Sequence, residues 1–280
     1  MQIDRSSVLF NKLINQMKNI LIIAGAFILM SASCKKTTGS LYNSNVKAPI
    51  TLEFDNIVGG ADLQLNTGSY TNESGEQFKV SMLRYFVSNI VFTNVNGSKY
   101  IVPQDSSYFL IDESKPSTLM TSIKIPEGEY SKLEFVLGVD SLRNTKDLSQ
   151  RTGVLDPTGE ASGMYWSWNS GYIFFKMEGN SPSSKLTNNV FQYHIGLFGG
   201  YSTPTLNNLK NISIDLTQRG IAKVKTGKTP NVHLLVDVSK VFNGTNKVSI
   251  SANTVVMASA FSAKIADNFT SMFQHDHTEN

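Results

Sequence analysis

One cysteine, Cys34, stands among 280 residues, so no disulfide can form within the chain and the fold must rest on an apolar core. No basic run is present. The chain carries +3; residues 1–33 hold Arg5, Lys12 and Lys18 against Asp4, which leaves +1 for the rest and offers nothing to a nucleic-acid backbone. The longest apolar run, Ile20–Met30, falls well short of the ~20 residues a membrane-spanning helix needs. Familiar catalytic spacings are also missing: there is no G-x-S-x-G, H-E-x-x-H, C-x-x-C or glycine-rich phosphate loop. Acidic residues are common, but no pair can be assigned to a cleft by spacing, so carboxylate-driven glycoside cleavage has no support. These absences predict a protein that is not an enzyme.

The N-terminus is informative. Lys18, the apolar run and then "SASCKK" (Ser31–Lys36) have the order of a secretory signal. Small residues directly before Cys34 resemble a bacterial lipoprotein signal, in which the cysteine is acylated, although Ser31 stands where most such signals carry leucine. The other reading of Cys34 is an ordinary thiol behind an uncleaved anchor. The expected organisation is a signal peptide over residues 1–33, with Met17 the true start, a flexible tether over 34–48, and a single domain over 49–280. The expected location is the bacterial cell envelope, held to the outer membrane through the lipid. "CKKTTGS" lacks an acidic cluster, so the periplasmic face is expected rather than the cell surface. Several acyl chains make such an anchor stable, at about 0.8 kcal/mol per buried methylene.

The body reads as strands. Ala48–Ile57 alternates, with Ile50, Leu52 and Phe54 on one face. Further strands are expected at 62–66, 77–95, 99–103, 107–112, 121–140, 171–179, 190–199, 209–216, 230–242 and 247–251, bounded by Gly, Asn, Asp, Ser or Pro. Asn96-Gly97 is a hairpin turn signal. Short helices are expected at 142–150 and within 253–273. This pattern predicts an all-β fold, a barrel-like and mostly antiparallel β-sandwich. A loop of roughly 25 residues, Asp140–Met164, exceeds the ~12–15 usual for irregular connections. It leads into "GMYWSWNSGYIFFKMEG" (Gly163–Gly179), which holds both tryptophans, Trp166 and Trp168. They are either a wall of the core, an exposed aromatic platform for sugar, or part of a metal site.

Four histidines remain. His194, in "FQYHIGLFG", and His233, in "NVHLLVDV", read first as core or rim residues. His275 and His277 form H-x-H in the tail. On a regular strand they share a face and can offer two imidazoles to one ion; in a disordered tail they bind metal only loosely. Imidazole suits copper and zinc, and copper(II) binds most tightly of the divalent series.

Read together, "SMLRYFVSNIVF" (Ser81–Phe92), "YFLIDES" (Tyr108–Ser114), "IPEGEYSKLEFVLGVDSLRN" (Ile125–Asn144), "TGVLDP" (Thr152–Pro157), "MYWSWNSGY" (Met164–Tyr172) and "YHIG" (Tyr193–Gly196) resemble the MbnP-like copper-binding family, from about Pro49 to the C-terminus. The resemblance implies a secreted or lipidated β-sandwich that binds copper. It further implies a di-haem, peroxidase-like partner that oxidises a tryptophan, here Trp166 or Trp168, with His194 as the accompanying ligand. Copper-binding members tend to carry a histidine in the first strand, where this chain has Asp55 and Asn56. His275 and His277, or an oxygen from Asp55, are the expected replacements. The alternatives from other classes are a surface glycan-binding accessory lipoprotein and a structural envelope module.

Overall fold

The computed structural model describes residues 41–166 and 171–280; Cys34, the signal segment and Trp168 lie outside them. In chain order the strands are β1 (Lys47–Val58), β2 (Ala61–Asp62), β3 (Tyr70–Thr71), β4 (Gln77–Asn94), β5 (Lys99–Ile101), β6 (Tyr108–Asp112), β7 (Met120–Pro126), β8 (Gly128–Leu137), β9 (Tyr165–Trp166), β10 (Gly171–Asn180), β11 (Val190–Gly196), β12 (Lys210–Asp215), β13 (Ala222–Val224), β14 (Asn231–Asp237), β15 (Val255–Val256) and β16 (Phe273–Glu279). The helices are short: α1 (Ser141–Asn144), α2 (Lys240–Asn243) and α3 (Ser262–Asn268). Among the described residues no helix is long and apolar enough to cross a membrane.

Two sheets form. The smaller runs β16-β14-β1-β2, with β7 also on β1. The larger, curled sheet runs β12-β8-β4-β10-β11-β15, with β13 on β8, β3, β5 and β6 on β4, and β9 on β10. Pairing is antiparallel except for β1 with β14 and β11 with β15. The expected all-β sandwich is what the chain adopts.

Alternation drives this arrangement. Along β1, Ala48, Ile50, Leu52, Phe54, Asn56 and Val58 are buried, while the residues between them are partly exposed. On β14, Val232, Leu234 and Val236 point the same way. Their inner face meets the large sheet through aromatic edges. Phe54 lies edge-on to Tyr85 at 6.4 Å and to Phe135 at 6.2 Å, and Phe273 meets Phe135 at 5.2 Å. Edge-to-face pairs add about 0.5–1.5 kcal/mol each beyond area burial.

A second core lies on the outer face of the large sheet. Phe86, Tyr108, Leu110, Tyr172 and Phe174 are roofed there by Leu155, Ala161 and Met164 of the long connection, with Val139 just before it and Trp166 just after. Buried Asn144 pins that connection: its amide oxygen accepts from the Tyr172 backbone at 2.9 Å. The loop is therefore a lid of packed short turns rather than a free segment.

Three expectations differ from the structure. Residues 247–251 make no strand, because the amides of Ile250 and Ser251 and the Ser249 hydroxyl go to the buried Glu76 carboxylate at 2.7–2.9 Å. Burial pushes that carboxyl up, but the hydrogen bonds from Asn72, Ser251 and Ile250 outweigh it and hold it at about 2. Within 253–273 only Ser262–Asn268 is α-helical, since Val255–Val256 is taken by the edge of β11. Finally, residues read as the end of the tether are in the fold. The Asn43 amide donates to Glu127 at 2.9 Å, Tyr42 to Glu129 at 3.2 Å, and β1 begins at Lys47.

Candidate metal centre

β14 lies between β1 and β16, so side chains from three strands meet on its outer face. His233 sits there, opposite in phase to buried Val232 and Leu234. It pairs with Glu53 on one side and His277 on the other.

The pairing of β14 with β16 contains a bulge. His233 faces His277 and Leu234 faces His275, so Asp276 is an extra residue with no partner in register. A bulge resets the alternation of a strand. The expectation that His275 and His277 share a face therefore does not hold. His275 goes to the side of Leu234, where its Nε2 meets the Thr278 hydroxyl at 2.8 Å and burial draws its pKa down. His277 and Asp276 turn together towards His233.

His233 Nδ1 lies 3.3 Å from Asp276 Oδ2 and 3.4 Å from His277 Nδ1; His277 Nδ1 lies 2.7 Å from the same Asp276 oxygen. The imidazole planes are nearly perpendicular, at 87°. Each ring then sets its other nitrogen on a carboxylate: His233 Nε2 is 3.4 Å from Asp55 Oδ2, and His277 Nε2 is 3.5 Å from Glu279 Oε1. A carboxylate behind an imidazole favours the tautomer with a proton on that nitrogen and leaves the opposite lone pair free for a cation. Two such lone pairs and a carboxylate oxygen converging on one gap repel one another unless a proton or a metal sits between them. Without metal a proton fills this role: the hydrogen bond to Asp276, with a second to Glu279, raises the His277 pKa and correspondingly lowers that of Asp276.

The donor set fits a small divalent ion. Bonds of about 2.0–2.1 Å in a tetrahedron put donors about 3.3–3.4 Å apart. Two of the three separations already have that value, and the third is the hydrogen bond an ion would replace. Nitrogen and oxygen donors of this kind suit copper(II) and zinc. The group is open to solvent on one side, with His277 at 45% and Asp276 at 29% side-chain exposure, so a further ligand has access.

The other expected residues lie elsewhere. His194 is on β11, paired with Lys176, and is buried. Its Nε2 contacts Glu178 Oε1 at 2.7 Å, and Lys176 Nζ reaches the same oxygen at 3.4 Å. Burial lowers its pKa more than Glu178 raises it. Trp166 is 7% exposed and packs in the second core. A Cβ on Gly196 would come within 2.6 Å of the indole, so glycine there permits the close approach. His194 and Gly196 are two apart on β11 and share its outer face. The inner faces of the sheets pack together, so the Trp166–His194 region and the His233–His277 group lie on opposite outer faces. Asp55 is placed behind His233 rather than beside His277. Trp168 lies outside the described residues.

His233 and Asp276 were not singled out by sequence reasoning. The signal was present for His233: in "NVHLLVD" the apolar residues at 232, 234 and 236 leave 233 facing outwards with Asn231 and Asp237. Nothing in the sequence marked the bulge.

No curated protein sequence matches the chain. Among solved structures, MbnP from Methylosinus trichosporium is similar, with a TM-score of 0.52 and 16% identity over 77% of this chain and 82% of that one, a likeness of fold. The model of the MbnP family matches residues 47–259, so His233 lies within the matched span and Asp276 and His277 beyond it. On the extent of that match, the chain belongs to the MbnP family.

Proposed function

We propose that this protein is a copper-binding protein of the bacterial envelope, and that His233, Asp276 and His277 hold the ion as exchangeable cargo. One observation carries the reading: both imidazoles turn Nδ1 towards a shared carboxylate oxygen while their Nε2 atoms rest on Asp55 and Glu279. That is the arrangement of ligands with supporting carboxylates. Thiolate is missing from the set, which favours copper(II) over copper(I). Partial exposure suits capture and release rather than a closed structural site.

Acylation at Cys34 would tether the domain to the outer membrane, on its periplasmic face. The protein acts by binding and catalyses no reaction of its own. A tryptophan of this segment, Trp166 or Trp168, is the substrate we propose for oxidation by a di-haem, peroxidase-like partner; the burial of Trp166 counts against that ring. The same burial removes one of the two rings that a sugar-binding platform needs.

The test is elemental analysis of the protein from its native host, with peptide mass spectrometry over Met164–Lys176. Copper near one ion per chain, displaced by a chelator and restored on addition, is expected. Copper-free protein that takes up no copper(II) rejects the reading.

A further inference from the structure

The carboxylate at the centre of the metal group has two oxygens, and they have different partners. Asp276 Oδ2 lies 2.7 Å from His277 Nδ1 and 3.3 Å from His233 Nδ1. Oδ1 instead accepts from Arg219 Nη1 at 3.3 Å. The same guanidinium nitrogen donates to the Asp276 backbone carbonyl, also at 3.3 Å.

Arg219 comes from the other sheet. It lies in the connection between β12 and β13, both of which pair with β8. This connection is tied to β16. The Thr278 amide donates to the Arg219 carbonyl at 3.3 Å, Asn280 Nδ2 donates to the Ile221 carbonyl at 3.1 Å, and the Lys223 amide donates to Asn280 Oδ1 at 2.6 Å. Gly220 permits the approach: its φ is +109°, and a Cβ there would stand 3.4 Å from the Thr278 carbonyl oxygen.

An exposed ion pair adds little to folding, and Arg219 is 61% exposed. Its use lies in the bulge. Asp276 has no partner in the β14–β16 register, so the ladder alone does not fix the direction of its side chain. Arg219 grips the backbone carbonyl and Oδ1 together and supplies that direction. We propose that Arg219 is a positioning residue of the metal centre, holding Asp276 so that Oδ2 alone is offered to the ion, between the two imidazoles. This rests on the copper(II) reading above. Groups that orient a ligand from behind are commonly worth about 10–100-fold in metal affinity. The positive charge of the guanidinium also repels a cation, but at an exposed position salt screens that repulsion. Orientation outweighs it, and removing Arg219 weakens the site.

The test is competition of the full chain against a chelator of known affinity, with EPR of the copper(II)-loaded protein. The samples are the parent, Arg219→Ala, Arg219→Lys, Asp276→Ala and the Arg219→Ala/Asp276→Ala double variant. Arg219→Ala should weaken copper(II) about tenfold and leave the melting temperature of the metal-free protein unchanged. Arg219→Lys keeps the charge but loses the planar fork, and should fall between parent and Arg219→Ala. In the Asp276→Ala background, Arg219→Ala should add no further loss, because Arg219 acts through that carboxylate. The copper hyperfine splitting should differ between Arg219→Ala and the parent, since a carboxylate free to bind through either or both oxygens changes the ligand field; a merely structural tie leaves the spectrum of the bound ion as it was. Parent-like affinity and spectrum in Arg219→Ala, tighter binding, or an equal loss in the Asp276→Ala background would overturn this proposal and leave the copper reading intact. A parent that binds no copper(II) would overturn both.

Discussion

The two outer faces of this sandwich use the same side chains to opposite ends. On the large sheet, His194 meets Glu178 while buried, with Lys176 on the same carboxylate. Charge and hydrogen bonding are settled within that group, and the aromatic roof with Trp166 closes over the neighbouring surface. On the small sheet, His233 and His277 also meet carboxylates through Nε2, and Nδ1 of each is turned to the Asp276 oxygen. Histidine beside a carboxylate is therefore no indicator of a metal site on its own. In both regions a carboxylate takes Nε2; what separates them is that on the small sheet the Nδ1 atoms of two rings face one shared carboxylate oxygen.

The largest effect that sharpens this contrast is on stability. Trp166→Ala should cost about 3–5 kcal/mol, as for other large-to-small core changes, and leave copper(II) affinity unaltered; chemical denaturation and a metal titration on the same sample check both. A loss of affinity with little loss of stability would break the division between the faces.

Next in size is the metal site. His233→Ala or His277→Ala should reduce copper(II) affinity by roughly 100-fold or more, beyond the ~10–100-fold typical of losing only a supporting residue. His194→Ala should leave it unchanged. Competition against a chelator of known affinity reads this directly.

How far the sequence alone reaches is visible in these residues. β1 and β14 were legible because Ile50, Leu52 and Phe54, and Val232, Leu234 and Val236, mark one face by simple alternation. The roof over the large sheet was legible only as a long connection, since its order comes from tertiary ties such as Asn144 to the Tyr172 backbone. The tail histidines were visible as residues but not as a geometry. A one-residue bulge at Asp276 separates His275 from His277 and joins His277 to a histidine 44 positions earlier. Register is set by pairing partners, and no local pattern records it. The stretch at 247–251 failed for a related reason: Glu76, far away in sequence, claims its amides.

Smaller effects refine the picture. Asp55→Asn removes the carboxylate behind His233 and should weaken copper(II) about tenfold. Lowering the pH should release metal, because the raised pKa of His277 keeps a proton in competition for Nδ1. The smallest predicted change concerns Glu113, whose carboxylate accepts from Asn56 at 2.8 Å while Asn56 accepts from Tyr85 at 2.9 Å. Burial, reinforced by Asp62, Asp55 and Asp112, pushes Glu113 up to about 7. The folded state then binds more protons than the unfolded state between about 4.5 and 7, so this group's contribution falls as pH rises through that window. Glu113→Gln should flatten that fall and raise the melting temperature at pH 8 relative to the parent; thermal melts at several pH values measure it.

The most direct test of the central claim is the EPR spectrum of the chain loaded with one equivalent of copper(II), alongside the His233→Ala/His277→Ala double variant and His194→Ala. The account predicts a single mononuclear signal with nitrogen coupling in the parent and in His194→Ala, and its loss in the double variant. A signal that survives the double variant and disappears in His194→Ala would place the copper on the other face of the sandwich and contradict the account.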